Sequence, residues 1–200
     1  MKVVAAWSGG KDSCFACYKA AKDGLDVISL LTFMKSKEAS NFHDIPVALL
    51  DAQAFALGLP LVKQVTEPHL YEQRFKEALL KFKAQGVQGL VTGDIYEVAN
   101  HEEGWLERVC KEVGIVPIRP LWQGNTTQIF KDFINAGFKS TVVRTKLDIL
   151  NSKWLGRELN EPFLEDILKL RNVDPCGEGG EYHTIVTDGP NFNNCIKLTE

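Results

Sequence analysis

Ser8-Gly9-Gly10-Lys11-Asp12-Ser13 joins an apolar, β-rich run at residues 3–7 to a helical pattern at residues 12–22 that stops at Gly24. Two adjacent glycines let the backbone turn tightly and approach an anion with no side chain between. Where a strand hands over to a helix, successive N–H groups form a concave nest at the positive end of the helix dipole. Ser8 and Ser13 add hydroxyl donors, Lys11 adds a point charge, and Asp12 is placed to cap the helix or face a metal ion. These parts suit a phosphate. The spacing is neither G-x-x-x-x-G-K-[ST] nor G-x-G-x-x-G. A helix start capped by Ser8 or Asp12 would explain a Gly-Gly turn, but not the whole run.

Outward from this run the chain alternates. Residues 27–33 are apolar without a break, as in a strand buried on both faces. Residues 46–57 read as a helix ending at Gly58, and 61–65 as a strand. Residues 71–85 form a helical pattern with apolar positions at 75, 78, 79 and 82, followed by a strand at 89–95, a helix at 103–112 and a strand at 115–118. Strands and helices in alternation imply an α/β fold, a mostly parallel sheet with helices on both faces. Ligands of such sheets bind beyond the carboxyl ends of the strands, where the glycine run lies. After Pro120-Leu121-Trp122 the rhythm changes. A helix is expected at 126–136 with Thr126 or Thr127 at its start, a β-branched strand at 140–145, a short helix at 161–169 and a glycine-rich loop at 174–181. Strands at 183–186 and 195–198 would be joined through Asp188-Gly189-Pro190. The division expected is a phosphate-loop domain at 1–122 and a smaller α+β lobe at 123–200.

The chain has 200 residues, 44% hydrophobic and 24% charged, which excludes disorder, collagen and coiled coil. No run reaches the ~18 apolar residues of a membrane span, so no membrane partner is expected. Lys and Arg total 23 against 26 Asp and Glu, a net charge of −3. A general nucleic-acid-binding surface would carry the opposite balance. Five cysteines, at 14, 17, 110, 176 and 195, are odd in number and read as reduced thiols of a cytoplasmic protein.

The glycine run matches the PP-loop of the ATP pyrophosphatases. A second stretch, Asp174-Pro175-Cys176-Gly177-Glu178-Gly179-Gly180-Glu181-Tyr182-His183-Thr184, followed by Asp188-Gly189-Pro190, resembles the C-terminal motif of the diphthine–ammonia ligase family. Gly93-Asp94-Ile95 and Pro120-Leu121-Trp122 fit the same family, so the resemblance covers nearly the whole chain. It implies a HUP-type α/β domain whose PP-loop grips the phosphates of ATP, with pyrophosphate as leaving group. The smaller lobe would carry the acceptor site. One stretch departs from the pattern: His101-Glu102-Glu103-Gly104-Trp105-Leu106-Glu107-Arg108 is acidic with one tryptophan. Family members acting on diphthine carry basic and glutamine-bearing residues there. Glu181-Tyr182-His183-Thr184 also resembles branches from organisms without diphthamide. The resemblance therefore implies AMP-forming amide ligation, with the acceptor carboxylate on a translation factor, as in diphthine, or on a small molecule.

Such chemistry sets requirements. A carboxylate is a poor electrophile. Transfer of AMP to its oxygen makes an acyl-adenylate, which ammonia attacks as AMP departs, and no enzyme nucleophile is needed. The protein must align the reactants and stabilise charge on the leaving pyrophosphate. The loop amides, Lys11 and a Mg²⁺ are expected to do so, and Mg²⁺ prefers one or two carboxylates plus phosphate oxygens. Asp12 and Asp94 are its candidate ligands, Asp94 following Gly93 at the end of a buried strand, where a turn or cap is the plainer role. Glu178, Glu181 or His183 would bind ammonium and then take its proton. The alternative for these residues is a solvated glycine turn. Thr32, Phe33 and Met34 end the second strand, where adenine would meet backbone groups.

Weaker signals remain. Cys14 and Cys17 share one helix face, a pattern of redox or thiolation chemistry or, more simply, of packing. A zinc site would need a second pair, which Cys110, Cys176 and Cys195 do not supply. Cys110 reads as core and Cys176 lies near the presumed site. His43 and His69 read as surface residues, Trp105 and Trp122 as core or substrate wall. Two rival functions stand beside the ligase: a sulfur-transferring RNA-modifying enzyme dependent on Cys14 and Cys17, and a non-catalytic adenine-nucleotide-binding module. Homodimerisation is expected on base rates alone.

Overall fold

The computed structural model describes residues 1–35, 45–97, 102 and 104–198. Strand β1 (Lys2–Ala6) has Val3, Val4 and Ala5 buried and lies at the centre of a five-stranded parallel sheet. The chain proceeds through α1 (Lys11–Lys22), β2 (Asp26–Met34), α2 (Val47–Leu57) and β3 (Leu61–Val65) to one side of β1. It then returns through α3 (Tyr71–Ala84), β4 (Gly89–Val91), α4 (Trp105–Val113) and β5 (Val116–Ile118) on the other. The resulting order is β3-β2-β1-β4-β5. The direction of winding reverses between β1 and β4, so their carboxyl ends open a crevice at the switch point. The loop from β1 into α1 and the turn after β4 both lie there.

Side chains alternate across the sheet, and each face has its own helices. Val3 and Ala5 pack with Cys14 and Cys17 of α1 and Leu50 of α2, whereas Val4 and Leu31 pack with Phe75 and Leu79 of α3 and Val109 of α4. The first of these clusters continues into the rest of the chain. That part contains α5 (Thr126–Asn135), β6 (Lys139–Thr145), α6 (Glu161–Ile167) and β7 (Tyr182–Asp188), with β6 and β7 antiparallel. Phe15 of α1 meets Phe133 edge-on at 5.8 Å and Phe138 at 6.0 Å, which ties the smaller lobe to the sheet.

The α/β class and the smaller lobe agree with expectation, and several boundaries move. The fourth strand ends at Val91 rather than residue 95, because the chain must turn at Gly93 against α1. The cap of α5 is Asn125, whose side chain accepts from Gln128 N at 2.9 Å; the Thr126 hydroxyl goes instead to Asp174 at 2.8 Å. Residues 195–198 form no strand. Ile196 N reaches Thr187 O at 2.8 Å, but Cys195 and Lys197 are exposed and no buried face holds the segment to β7. Cys14, Cys17 and Cys110 are core residues, and His69 is exposed. His43, and Glu103 of the expected fourth helix, lie outside the described residues. Among the described residues no helix is long and apolar enough to cross a membrane.

Candidate active site

The loop between β1 and α1 is shaped from outside itself. Gly9 has φ +84°, and a Cβ there would sit 2.8 Å from both Gln53 Oε1 and Leu50 Cδ2, so only glycine fits the turn. Its carbonyl accepts from Gln53 Nε2 at 2.9 Å and from Val186 N at 3.1 Å. Gln53 is wholly buried on α2; its second amide hydrogen goes to Val186 O at 2.8 Å, and its oxygen accepts from the Trp7 indole at 2.9 Å. One side chain thus fastens the loop, α2 and β7 together. Ser8 and Ser13 hydroxyls lie 2.9 Å apart, and Ser13 Oγ donates to Gly10 O at 3.1 Å. Gly10 is the N-cap of α1 with no side-chain cap, so neither Ser8 nor Asp12 closes this helix end. The first helical amide, Lys11 N, donates to Thr184 Oγ1 of β7 at 3.1 Å. The amides of Asp12 and Ser13 follow in the first turn, where no intrahelical carbonyl is available to them.

A pocket of about 440 Å³ opens at the carboxyl ends of the strands. Ser8, Gly10, Lys11, Asp12 and Ser13 line it from the loop, while Gly9 stays behind the wall. Lys11 is 4% exposed, and its Nζ meets Asp12 Oδ2 at 2.6 Å. Burial alone would lower the lysine's affinity for its proton; the charge and hydrogen bond of Asp12, together with Cys176 and Tyr182, more than offset it and hold the ammonium charged. A Cβ on Gly93 would fall 2.6 Å from the backbone of Asp12 and Ser13, so the turn after β4 rests directly on the first turn of α1. This contact brings Asp94 into the same pocket. Burial raises the Asp94 carboxyl above its usual range; Arg119 opposes the rise, and Glu97 and Asp12 add to it. Thr32 and Phe33 line the pocket from β2, and the Thr32 hydroxyl is buried with no hydrogen-bond partner.

The glycine-rich loop closes the pocket from the smaller lobe. It holds its own shape. Asp174 accepts from Cys176 N at 2.7 Å, and Glu181 Oε1 accepts from Asp174 N at 3.0 Å. Tyr182 Oη donates to Pro175 O. The two glutamates separate here. Glu181 is 4% exposed, points inward and is absent from the pocket lining, so it braces the loop. Glu178 is exposed and lines the pocket. Partial burial, then the Asp12 carboxylate, push its carboxyl up to about 7. Lys11 opposes the rise, and Asp174 and Asp94 add to it. His183 lines the pocket from β7, and Tyr182 lies under Lys11, its ring centroid 5.8 Å from Nζ. Cys176 is buried with its thiol pushed up to about 12, and Cys17 likewise, both chiefly by burial; neither is poised as a nucleophile.

The third wall is aromatic. Phe33 stacks on Phe75 at 5.2 Å, Phe75 meets Trp105 at 5.1 Å, and Tyr71 meets Trp105 at 6.0 Å. Trp105 is therefore both core and pocket wall. Trp122 lies beneath Arg119, which lines the pocket from the end of β5. Sequence reasoning missed Gln53, Thr184 and Arg119. Gln53 is one of two polar residues of α2, with Asp51, and nothing in the sequence alone separates the buried one from the exposed one.

Comparison with known proteins places this geometry. Residues 1–117 match the family model for the diphthamide synthase N-terminal domain, and residues 125–200 that for the C-terminal domain. The chain is 28% identical to diphthine–ammonia ligase of Mus musculus, over 98% of this chain and 82% of that protein. It is 30% identical to diphthine–ammonia ligase of Schizosaccharomyces pombe, over 100% of this chain and 36% of that protein. Among solved structures, one described as a predicted subunit of tRNA methyltransferase from Methanocaldococcus jannaschii shares the fold with a TM-score of 0.54 and 20% identity, covering 95% of this chain and 98% of that one.

Proposed function

The chain belongs to the diphthamide synthase family, and we propose on that basis that it is an ATP-dependent amide ligase that joins ammonia to a carboxylate and releases AMP and pyrophosphate. One observation carries the reading: the PP-loop and the glycine-rich loop face one cavity, and the bond from Lys11 N to Thr184 Oγ1 fastens the PP-loop to β7, the strand that follows the glycine-rich loop. A site that must bring a nucleotide and an acceptor together needs that juxtaposition.

In this proposal the triphosphate lies along the first-turn amides of α1, with Lys11 beside the phosphate that becomes part of pyrophosphate. An acceptor carboxylate oxygen attacks the α-phosphorus, and the bond to pyrophosphate breaks. Ammonia then attacks the acyl carbon, the C–N bond forms, and AMP leaves. Glu178 takes the proton that the nitrogen sheds. Asp12 and Asp94 fit a Mg²⁺, since they converge through Gly93 and the Asp94 carboxyl is raised in part by Asp12. The ion would neutralise phosphate charge. The two-part division at 122/123, ammonium as the nitrogen source, a diphthine-like acceptor on a translation factor, a cytoplasmic setting and a homodimer belong to the same proposal.

The test is incubation with α-labelled ATP, Mg²⁺ and ammonium, with and without a translation factor carrying unamidated diphthine. AMP that depends on the factor is the expected product. ADP in place of AMP overturns the proposal.

A further inference from the structure

Among the described residues, three basic side chains line the pocket: Lys11, His183 and Arg119. Lys11 is engaged with Asp12 at the phosphate loop, and His183 stands on β7 of the other lobe. Arg119 is the residue immediately after β5, at the carboxyl end of the sheet. Its guanidinium lies over the Trp122 ring, 3.4 Å from the centroid, and its side chain is 13% exposed. Nη2 pairs with Glu107 of α4. Nη1 stands 3.9 Å from Glu97 Oε1, beyond hydrogen-bond reach, and that oxygen already accepts from Gly104 N at 3.3 Å. One edge of the fork is thus locked and its plane fixed by stacking, while the other edge meets a carboxylate it does not grip.

The same pocket carries Asp12, Asp94, Glu97 and Glu178. A carboxylate entering among four acids is repelled unless a cation not spent on phosphate receives it. A stacked arginine suits this task, because its planar fork is already oriented and matches carboxylate geometry. We propose that Arg119 is the clamp for the acceptor's carboxylate, holding one oxygen at its Nη1 edge so that the other can reach the α-phosphorus. The inference rests on the ligase reading for its ligand and adds a subsite at the carboxyl end of β5.

The test uses the full chain loaded with α,β-methylene-ATP and Mg²⁺, titrated with 3-(imidazol-4-yl)propionate as the carboxylate probe and followed by ligand-observed NMR. Wild type is expected to bind the probe saturably. Arg119→Met should weaken it by about tenfold or more, the loss of a charge-assisted hydrogen bond, and Arg119→Lys by less. Both should leave affinity for the nucleotide analogue within about twofold. Glu107→Gln separates clamp from strut: it strips the ion pair but keeps the arginine, so probe binding should be kept or tightened. A purely structural arginine would instead lose binding in Glu107→Gln and in Arg119→Met alike. That result overturns the clamp, as does a wild type that shows no saturable binding. An Arg119→Met variant whose nucleotide affinity falls with its probe affinity also overturns it, by assigning the residue to phosphate. A wild type that binds the probe through Arg119 yet forms no AMP in the labelled-ATP assay keeps the clamp and removes the ligase.

Discussion

The two glycine-bearing loops that face each other across the pocket are held in different ways. The loop at residues 7–13 is closed locally by the Ser8 and Ser13 hydroxyls, but the path of its backbone at Gly9 and Lys11 is set from outside, by Gln53 of α2 and by Thr184 and Val186 of β7. The loop at 174–181 is braced from within by the carboxylates of Asp174 and Glu181 and by the neighbouring Tyr182 hydroxyl, and is tied to α5 through Thr126. The Ser8 and Gly10 amides go to the Ser13 and Ser8 hydroxyls and Lys11 N goes to Thr184, so the nest presents the first-turn amides of Asp12 and Ser13, and its turn at Gly9 is imposed by distant residues. A loop that presents side chains can close on itself and leave one carboxylate outward. The phosphate loop is therefore predicted to fail through chemistry or through remote core changes, and the glycine-rich loop through local ones.

The largest effect expected is in the phosphate loop. Lys11→Ala should cut AMP release from α-labelled ATP by about 10²–10³-fold, the scale of losing one preorganised charge stabiliser. It also leaves the Asp12 carboxylate at the phosphates without its partner, so the affinity for ATP should fall as well. Full turnover by this variant would strip the loop of its assigned role. Next comes the remote brace. Gln53→Leu leaves the buried Trp7 indole without its acceptor and removes one donor each from Gly9 O and Val186 O. Unfolding in urea should show a loss of about 3 kcal/mol, as expected for one buried donor left unsatisfied and two further buried bonds lost. A loss below about 1 kcal/mol would mean that the loop holds its path without α2.

The residues behind these two predictions differ in how readily they are read from sequence. The sheet was legible because buried parallel strands and amphipathic helices alternate, and the phosphate loop because Gly9, Gly10 and Lys11 fall at a strand-to-helix junction. Asp94 was legible from its place after a buried strand. Gln53, Thr184 and Arg119 were not, since their partners lie 44, 173 and 12 residues away and no local pattern marks such a bond. Glu178 and Glu181 could not be told apart, because a glycine-rich loop has no periodicity to say which carboxylate turns inward. The strand expected at 195–198 failed for a related reason: short β-branched or apolar runs look alike whether or not a buried face awaits them.

Within the glycine-rich loop the brace should matter more for folding than the outward acid. Glu181→Ala removes the acceptor for Asp174 N at a site 4% exposed, and a cost of about 1–3 kcal/mol in unfolding free energy is expected. Glu181→Gln should cost less, because an amide oxygen can still accept that bond. Equal losses for the two variants would show that the charge, rather than the bond, holds the loop.

Glu178→Gln is the mirror case, and stability should change least there. The folded state raises this carboxyl to about 7, so ionised Glu178 adds nothing favourable to stability above its ordinary range. Above that range the variant should unfold at the same or slightly higher denaturant concentration. The effect should appear in the pH profile instead. A base must be ionised to accept a proton. With the carboxyl near 7, AMP formation with saturating ammonium should climb as pH rises towards 7 and level off above it. Glu178→Gln should lose that limb and run about tenfold or more slower on the plateau, at the lower end of what general-base catalysis supplies. If the limb survives unchanged, the titrating group lies elsewhere, and His183 on the neighbouring strand is the pocket residue to change next.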